Sequence, residues 1–265
     1  MSVLTQQRHG EILSELFAKQ EVSVKHLAAQ LGVSEATIRR DLKILADRGQ
    51  LEPVHGGATL PRRTDLSFRS KSLLHSQAKQ TIGRLAGELV HHGEQIFVDS
   101  GTTCFQMTPA LNTKRGVSVI VNSARLALEL DTPALSVILL GGQYRPDRMD
   151  TVGPLANATL EQLRGYIAFV SADGLSMDFG LTANDIESAD LYRRAVANAR
   201  EVVLLADATK FDNPSLFKIV GFDAVARIVT DQMPSSDWME FFKQKNIEVI
   251  CPETLGNPAD GAPTE

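Results

Sequence analysis

Apolar positions recur with helical spacing near the start of the chain and with strand-like spacing after Gly93. Between Gln6 and Lys19, Ile12, Leu13, Leu16 and Phe17 fall on one helical face. Ser23 stands at an N-cap position. Val24, Leu27, Ala28 and Leu31 then predict a second helix over Val24–Leu31, broken by Gly32. Ser34 caps a third helix, Glu35 to about Arg48, with Ile38, Leu42 and Leu45 inward and Gly49 closing it. Leu51–Leu60 reads as a short β-hairpin turning at Gly56-Gly57.

Residues 61–75 are polar and weakly patterned, which assigns them as a linker. A helix is predicted from about Ser76 to Val90. Beyond it, apolar runs at Gln95–Val98, Val117–Val121, Ser136–Leu140, Ile167–Ser171, Val202–Ala206, Arg227–Thr230 and Ile247–Ile250 alternate with helical patterns near 103–111, 123–130, 154–163, 185–199 and 235–244. That alternation predicts an α/β domain with a largely parallel sheet and helices on both faces. The expected organisation is a helical reader over 1–60, the linker, an α/β domain over 76–251, and a disordered tail over 252–265, which is rich in Pro, Gly and Ala.

Composition refines this outline. Hydrophobic residues make up 43% and charged residues 22% of 265 residues, as in an ordinary globular protein. No apolar run is long enough to span a membrane, and the first residues form no secretory signal, so a cytoplasmic location is expected. The two cysteines, Cys104 and Cys251, match no metal spacing; Cys104 reads as a small buried hydrophobe. His91-His92 reads as a solvated turn, and neither a metal nor a cofactor is expected. Net charge is −5, yet residues 1–63 hold nine Lys or Arg against seven Asp or Glu. A mildly basic head on an acidic body suits a DNA reader carried by a larger domain.

The head has the chemistry for that task. Ala28 lets two helices cross closely, Gly32 permits the sharp turn, and Val33 and Ile38 fill the wedge between helices. The third helix presents Ser34, Glu35, Thr37, Arg39, Arg40 and Lys43 on its N-terminal half and outer side, the part that enters a major groove. Arg40 and Thr37 share one face and suit base edges. Arg39 and Lys43 share a neighbouring face and suit phosphates. His55, in the hairpin, serves either DNA contact or the hairpin itself.

The α/β domain carries polar residues where its strands end. After Val98 comes Asp99, then Ser100, Gly101, Thr102 and Thr103, a turn whose amides and following helix can seat a phosphate. Asn122-Ser123, Gly141-Gly142, Asp173-Gly174 and Asp207-Ala-Thr-Lys210 stand at other strand ends. In open α/β sheets such ends line one ligand crevice. Asp99, Asp173 and Asp207 could accept sugar hydroxyls, and Lys210 could neutralise a phosphate. Tyr144, Arg145, Asn184 and Asp185 belong either to the pocket or to the surface.

Val24–Leu42, Leu51 and His55-Gly-Gly-Ala58 resemble the N-terminal domain of the DeoR family of bacterial sugar-metabolism repressors. One departure is Pro53, where that family carries a basic residue, so wing contact would rest on His55, Arg62 or Arg63. The strand-end series, with Gly180-x-Thr182, Glu187 and Asp207-x-x-Lys210-Phe211, resembles the family's effector domain in order. The resemblance extends over roughly residues 5 to 250. It implies a winged helix-turn-helix followed by a domain similar to the folds of ribose-5-phosphate isomerases, glucosamine-6-phosphate deaminases and CoA-transferases, and it adds Thr182 and Glu187 to the effector set. It also implies operator DNA and a phosphorylated sugar or sugar alcohol as partners, with a homodimer or homotetramer as the working form. The alternative is a sugar-phosphate isomerase or deaminase with an appended DNA domain. Isomerases carry an acidic pair soon after their Asp-Gly, whereas this chain reads Asp173-Gly-Leu-Ser-Met177. The expectation is therefore a sensor and not an enzyme.

Overall fold

Local capping chemistry sets the first helices. Ser23 accepts the His26 N–H at 3.1 Å and starts a helix at Val24, and Gly32 ends it with φ at +63°. The computed structural model describes residues 3–19, 21–47, 50–59, 68–130 and 133–255. It divides into two units, Met1–Ser76 and Gln77–Glu265.

The first unit runs α1 (Val3–Lys19), β1 (Glu21–Ser23), α2 (Val24–Leu31), α3 (Glu35–Asp47), β2 (Glu52–Val54), β3 (Gly57–Thr59) and α4 (Phe68–Leu73). Ile12, Leu13, Leu16, Leu27, Ile38 and Leu45 are buried together in its core. Each contributes about 1.5–3 kcal/mol of transfer free energy. The strands form an antiparallel sheet in the order β1-β3-β2. Pro53 therefore sits on an edge strand, opposite Ala58, where a missing donor is tolerated. The hairpin turns one residue earlier than expected, at His55-Gly56, and Gly57 already belongs to β3. A β-carbon on Gly57 would fall 2.0 Å from the Val22 carbonyl oxygen of β1, so only glycine lets these backbones meet.

Two segment assignments need correction. The span taken as a linker contains α4, whose Phe68 is buried. The few apolar residues of the stretch, Leu66, Phe68, Leu73 and Leu74, do not repeat at the three- or four-residue spacing of a helix, so the pattern could not reveal it. The span taken as a disordered tail begins with the short helix Pro252–Leu255. The side chain of Phe17, residues 48 and 49, residues 60–67 with Arg62 and Arg63, and residues 256–265 lie outside the described residues.

The second unit continues with α5 (Ser76–Glu88), β4 (Gln95–Val98), α6 (Thr108–Leu111), β5 (Val117–Val121), α7 (Ala124–Glu129), β6 (Leu135–Leu139), β7 (Gln143–Arg145) and β8 (Asp150–Val152). Then come α8 (Pro154–Leu160), β9 (Ile167–Ser171), β10 (Gly174–Ser176), β11 (Gly180–Ala183), α9 (Ile186–Asn198), β12 (Glu201–Leu205), β13 (Phe217–Lys218), β14 (Arg227–Val229), α10 (Ser236–Gln244), β15 (Glu248–Ile250) and α11 (Pro252–Leu255). Seven strands form one sheet in the order β15-β14-β12-β9-β4-β5-β6, and every pairing in it is parallel. The apolar runs of the inner strands are buried on both faces, in two clusters, while the edge strand β6 leaves Ile138 and Leu139 exposed. β4 pairs with β5 on one side and with β9 on the other. The chain thus reverses its winding direction beside β4, and all carboxyl ends lie along one edge.

Candidate functional site

On α3 the outer face is cationic. Ile38, Leu42 and Leu45 point inward, while Arg39, Arg40 and Lys43 are exposed. Arg40 and Lys43 make no ion pair among the described residues. Arg39 donates to Glu35 at 2.7 Å, one turn earlier. Ser34 accepts the Thr37 N–H at 3.2 Å and lies 2.9 Å from its hydroxyl, so these two side chains shape the helix start. His55 is exposed at the hairpin turn.

A buried ionic cluster that sequence reasoning did not find braces α3 against α1. Arg8 donates to the two oxygens of Asp41 at 2.6 and 3.2 Å, and His9 Nε2 lies 3.0 Å from the same carboxylate. Burial disfavours the Asp41 charge, but Arg8 and His9 outweigh it and hold the carboxyl below its ordinary value. Asp41 follows Arg40 directly and reads as one more polar residue of a surface helix. Only the inward position it shares with Ile38 and Leu45 hints at its burial.

In the second unit, the turn after β4 lies at the switch point. Asp99 is fully buried and shapes the turn. Its Oδ1 accepts the Gly101 N–H at 2.7 Å, and its Oδ2 accepts the N–H and the hydroxyl of Ser171 at the end of β9. Both of its oxygens are thus engaged by the backbone and side chains of the turn. Burial raises its pKa, and the hydrogen bonds oppose that rise. Gly101 is required here, since a β-carbon would fall 2.1 Å from Ser171 Oγ. The segment beyond the turn is a 3-10 helix, Cys104–Met107, followed by the single turn of α6. Its dipole is correspondingly small. Charge at the crevice must come from side chains.

Lysines supply it. Gly83 and Gly87 let α5 press onto this segment. Added β-carbons there would fall 2.4 Å from the Gln106 backbone and 2.3 Å from Ala110 Cβ. One turn earlier on that face stands Lys79, which is buried. Asp207, buried at the end of β12, caps the next turn. Its Oδ1 accepts the Thr209 N–H at 3.0 Å, while its Oδ2 has no hydrogen-bond partner among the described residues. Burial works against the Asp207 charge, yet Lys210 and then Lys79 act with Thr209 to lower its pKa. Lys79 was missed by the sequence reading. The available signal was a lysine sharing the buried face of a helix with Ile82, Gly83 and Ala86.

A second ionic cluster adjoins the same turn. Ser100 donates to Asp150 at 3.0 Å and lies 2.9 Å from the Tyr192 hydroxyl. Arg145 forks onto Asp150 at 2.8 and 2.6 Å and reaches Asp185 at 2.9 Å; Arg148 donates to Asp185 at 2.6 Å. Burial disfavours the Asp185 charge, but the Ser188 amide and the two arginines hold its carboxyl at about 2. Arg145 and Asp185 thus belong to the network beneath Ser100.

The remaining expected residues divide. Asp173 accepts the Asn184 N–H at 2.9 Å beside the switch point. Gly174 stands where a β-carbon would meet the Asn213 carbonyl oxygen at 1.8 Å. The Thr182 hydroxyl donates to the Gly174 carbonyl and accepts the Ser215 N–H, a bracing role. Thr102 and Thr103 are buried in the turn. The Asn122 side chain donates to the Thr151 carbonyl at 3.1 Å, and its amide oxygen Oδ1 is buried with no hydrogen-bond partner among the described residues. Gly141 and Gly142 follow the edge strand β6, four strands from β12. That separation is about 19 Å across the sheet. Glu187 is half-exposed on α9, 3.9 Å from Arg145.

Among the described residues, no group of three metal-ligating side chains occurs, and no helix is long and apolar enough to cross a membrane. The family model described as the DeoR-like helix-turn-helix domain matches residues 8–64, and that described as the DeoR C terminal sensor domain matches residues 74–232. A putative aga operon transcriptional repressor of Escherichia coli O157:H7 is 28% identical over 93% of this chain and 93% of its own length. The lactose phosphotransferase system repressor of Lactococcus lactis subsp. lactis is 33% identical over 89% of this chain and 95% of its own length. Among solved structures, a ribose 5-phosphate isomerase A of Methanocaldococcus jannaschii overlaps with a TM-score of 0.38 at 18% identity, over 51% of this chain and 54% of that chain, too loosely to argue from.

Proposed function

The chain belongs to the DeoR family of transcriptional regulators, and from that premise we propose that it represses a carbohydrate-utilisation operon and leaves its operator when a phosphorylated sugar binds. The observation that carries the reading is a pairing within one chain. Arg40 and Lys43, without an ion pair among the described residues, face solvent on α3, while Lys79 and Lys210 act on Asp207 at the end of β12. Exposed cations suit a duplex. Two lysines around a carboxylate with one unsatisfied oxygen suit a ligand that carries both a phosphate and hydroxyls.

The reading is of a sensor without turnover. Asp99, buried and fully engaged, is no base for a C–H bond. Asp178, the carboxylate that follows Met177, is tied to Ser176 on an exposed turn. In the proposed working form, symmetric copies associate through their second units in the cytoplasm and place two heads on a palindromic site. Binding of the sugar phosphate favours the released state, a coupling of about 1–3 kcal/mol.

Fluorescence anisotropy on DNA from upstream of the protein's own gene, with a thermal-shift panel of pentose and hexose phosphates, tests this. Arg40→Ala is expected to weaken operator binding by about 1–3 kcal/mol and to leave the sugar-phosphate shift intact. Lys210→Ala is expected to spare operator binding and blunt release. A wild-type chain with no preference for that DNA over bulk competitor would sink the reading.

A further inference from the structure

The turn after β4 carries a hydroxyl whose hydrogen bonds run in only one direction. Ser100 is half-buried, and its Oγ has two partners, Asp150 Oδ2 at 3.0 Å and the Tyr192 hydroxyl at 2.9 Å. Arg145 forks onto both oxygens of Asp150 at 2.8 and 2.6 Å, so Asp150 is the carboxylate of an ion pair. A carboxylate only accepts, and Ser100 must give it its one proton. The contact between the two hydroxyls then takes the proton of Tyr192. Burial first, and then Asp99 and Asp150, push the Tyr192 pKa well up, so the phenol keeps that proton. Ser100 thus donates once and accepts once, and its Oγ has no third partner among the described residues. What it has left for a ligand is one lone pair.

That remainder selects the ligand group. A phosphate oxygen is itself an acceptor, and here it would also meet the Asp150 carboxylate. A sugar hydroxyl can donate. The cations stand elsewhere. Lys79 lies on α5, whose Ile82 and Leu85 pack in one core cluster, while Tyr192 of α9 belongs to the other. The two groups are therefore on opposite faces of the sheet and share only the space over the strand ends. Along the sheet, β12 is two strands from β4, about 10 Å. At the end of β12, Lys210 and Lys79 act on Asp207. A pentose or hexose phosphate is of that length, and its two unlike ends match the two sides.

We propose that Asp150 and Tyr192 fix the Ser100 hydroxyl as an acceptor, so that Ser100 reads a hydroxyl of the sugar while the phosphate lies at Lys79 and Lys210, on the other side of the strand ends. The inference deepens the sensor reading above and rests on it. Ser100 touches the ligand. Asp150 is a positioning residue that acts through Ser100, and Arg145 keeps it an acceptor. Selectivity follows, because a site built to bond a hydroxyl rejects the analogue that lacks it.

Isothermal titration of the full-length chain with ribose 5-phosphate, fructose 6-phosphate and glucose 6-phosphate, each beside its singly deoxygenated analogues, tests the assignment. For the sugar phosphate that binds most tightly, one deoxy analogue is expected to bind the wild type about tenfold more weakly. Ser100→Ala is expected to lose the same factor on the parent compound and nothing further on that analogue, because both changes remove one hydrogen bond. Lys210→Ala is expected to weaken the parent and all its analogues by a common factor. Asp150→Asn gives a readout that a merely structural role would not move. Its amide can donate to Ser100 Oγ and free the Ser100 proton, so the tenfold preference for the hydroxyl is expected to shrink below about threefold. If Asp150→Asn does not fold, Ser100→Ala decides alone. The inference is overturned if Ser100→Ala weakens the parent and every deoxy analogue alike, which would put the phosphate at Ser100. It is also overturned if Ser100→Ala leaves the parent's affinity unchanged, or if Lys210→Ala spares all the compounds. A chain that binds none of them removes the sugar-phosphate reading and this inference with it. A chain that binds them without regard to Ser100 loses this inference alone.

Discussion

The outer face of α3 and the strand-end crevice both present cations, and they do so in opposite ways. On α3, Arg40 and Lys43 stand exposed, with no ion pair among the described residues, and the apolar face behind them holds the helix. In the crevice, Lys79 and Asp207 are buried, and Lys210, Thr209 and Lys79 hold the Asp207 charge against its burial. A surface that must meet a polyanion gains from cations with no protein partner. A site that must respond to a ligand gains from groups whose balance the ligand changes. Substitutions should therefore separate the two. On the α3 face they alter binding and leave the fold alone, while in the crevice they alter ligand affinity and local electrostatics together.

The sharpest break in that comparison is Asp41, a buried charge in the head. Asp41→Ala removes the acceptor of Arg8 and His9, and loss of one partner from a buried pair costs about 3 kcal/mol. Native-state hydrogen exchange of α1 and α3 amides should show it. The pH dependence has a definite sign. The folded Asp41 pKa is lowered, so its stabilisation is present above the unfolded carboxyl pKa of about 3.9 and is lost as pH falls through the folded value. Protection of α3 should fall below about pH 4 more steeply in the wild type than in Asp41→Asn. Equal acid limbs would show that the cluster does not brace the helix.

Legibility followed the range of the interactions. Ser23, Gly32 and Ser34 act within a turn of themselves, and the bounds of α2 and the start of α3 were readable from them. The seven strands of the large sheet were readable because long apolar runs signal burial on both faces. β1, β7, β8, β10, β11 and β13 were not. Each is two to four residues long, too short to set a period; β7 with β8 and β10 with β11 form local hairpins, while β1 depends on a partner far away, as Glu21 does on Thr59. The same rule governs the site. The hydroxyl turn at Ser100–Thr103 is local and was legible. The bracket from Arg145 to Asp185 joins residues forty apart, and no local pattern announces it. Asp99 was found by position, but its hold on Ser171 is also a long-range fact that the sequence does not announce.

The next effect in size tests the crevice. Lys79→Met keeps the length of the side chain and removes its charge. Sugar-phosphate binding should weaken by about 2 kcal/mol, the scale of a hydrogen bond to a charged group. Isothermal titration at neutral pH measures it. Burial pushes the Asp207 pKa up, and Lys79 is one of the groups that pull it down. Without Lys79, residual binding should therefore decline at a higher pH on the acid side than in the wild type. Unchanged affinity in Lys79→Met would place the phosphate elsewhere along the strand ends.

The smallest expected effect probes the exposed side of the comparison. Glu35 takes up Arg39 at 2.7 Å, with side chains 46% and 63% exposed. Such a pair is worth about 0.3–0.5 kcal/mol. A first-turn carboxylate adds a similar amount through the helix dipole, so Glu35→Gln should lower head stability only slightly. At a duplex the same carboxylate opposes the phosphates and holds Arg39 back from them. Glu35→Gln should tighten binding to bulk DNA about twofold, and more at low salt. The slope of log affinity against log salt should steepen by up to about one as Arg39 gains a phosphate. The operator decides what else Glu35 does. If Glu35 accepts from a cytosine amino group in the major groove, the substitution weakens operator binding while strengthening bulk binding. If both affinities rise together, Glu35 only restrains Arg39, and the base-reading role on α3 falls to Arg40.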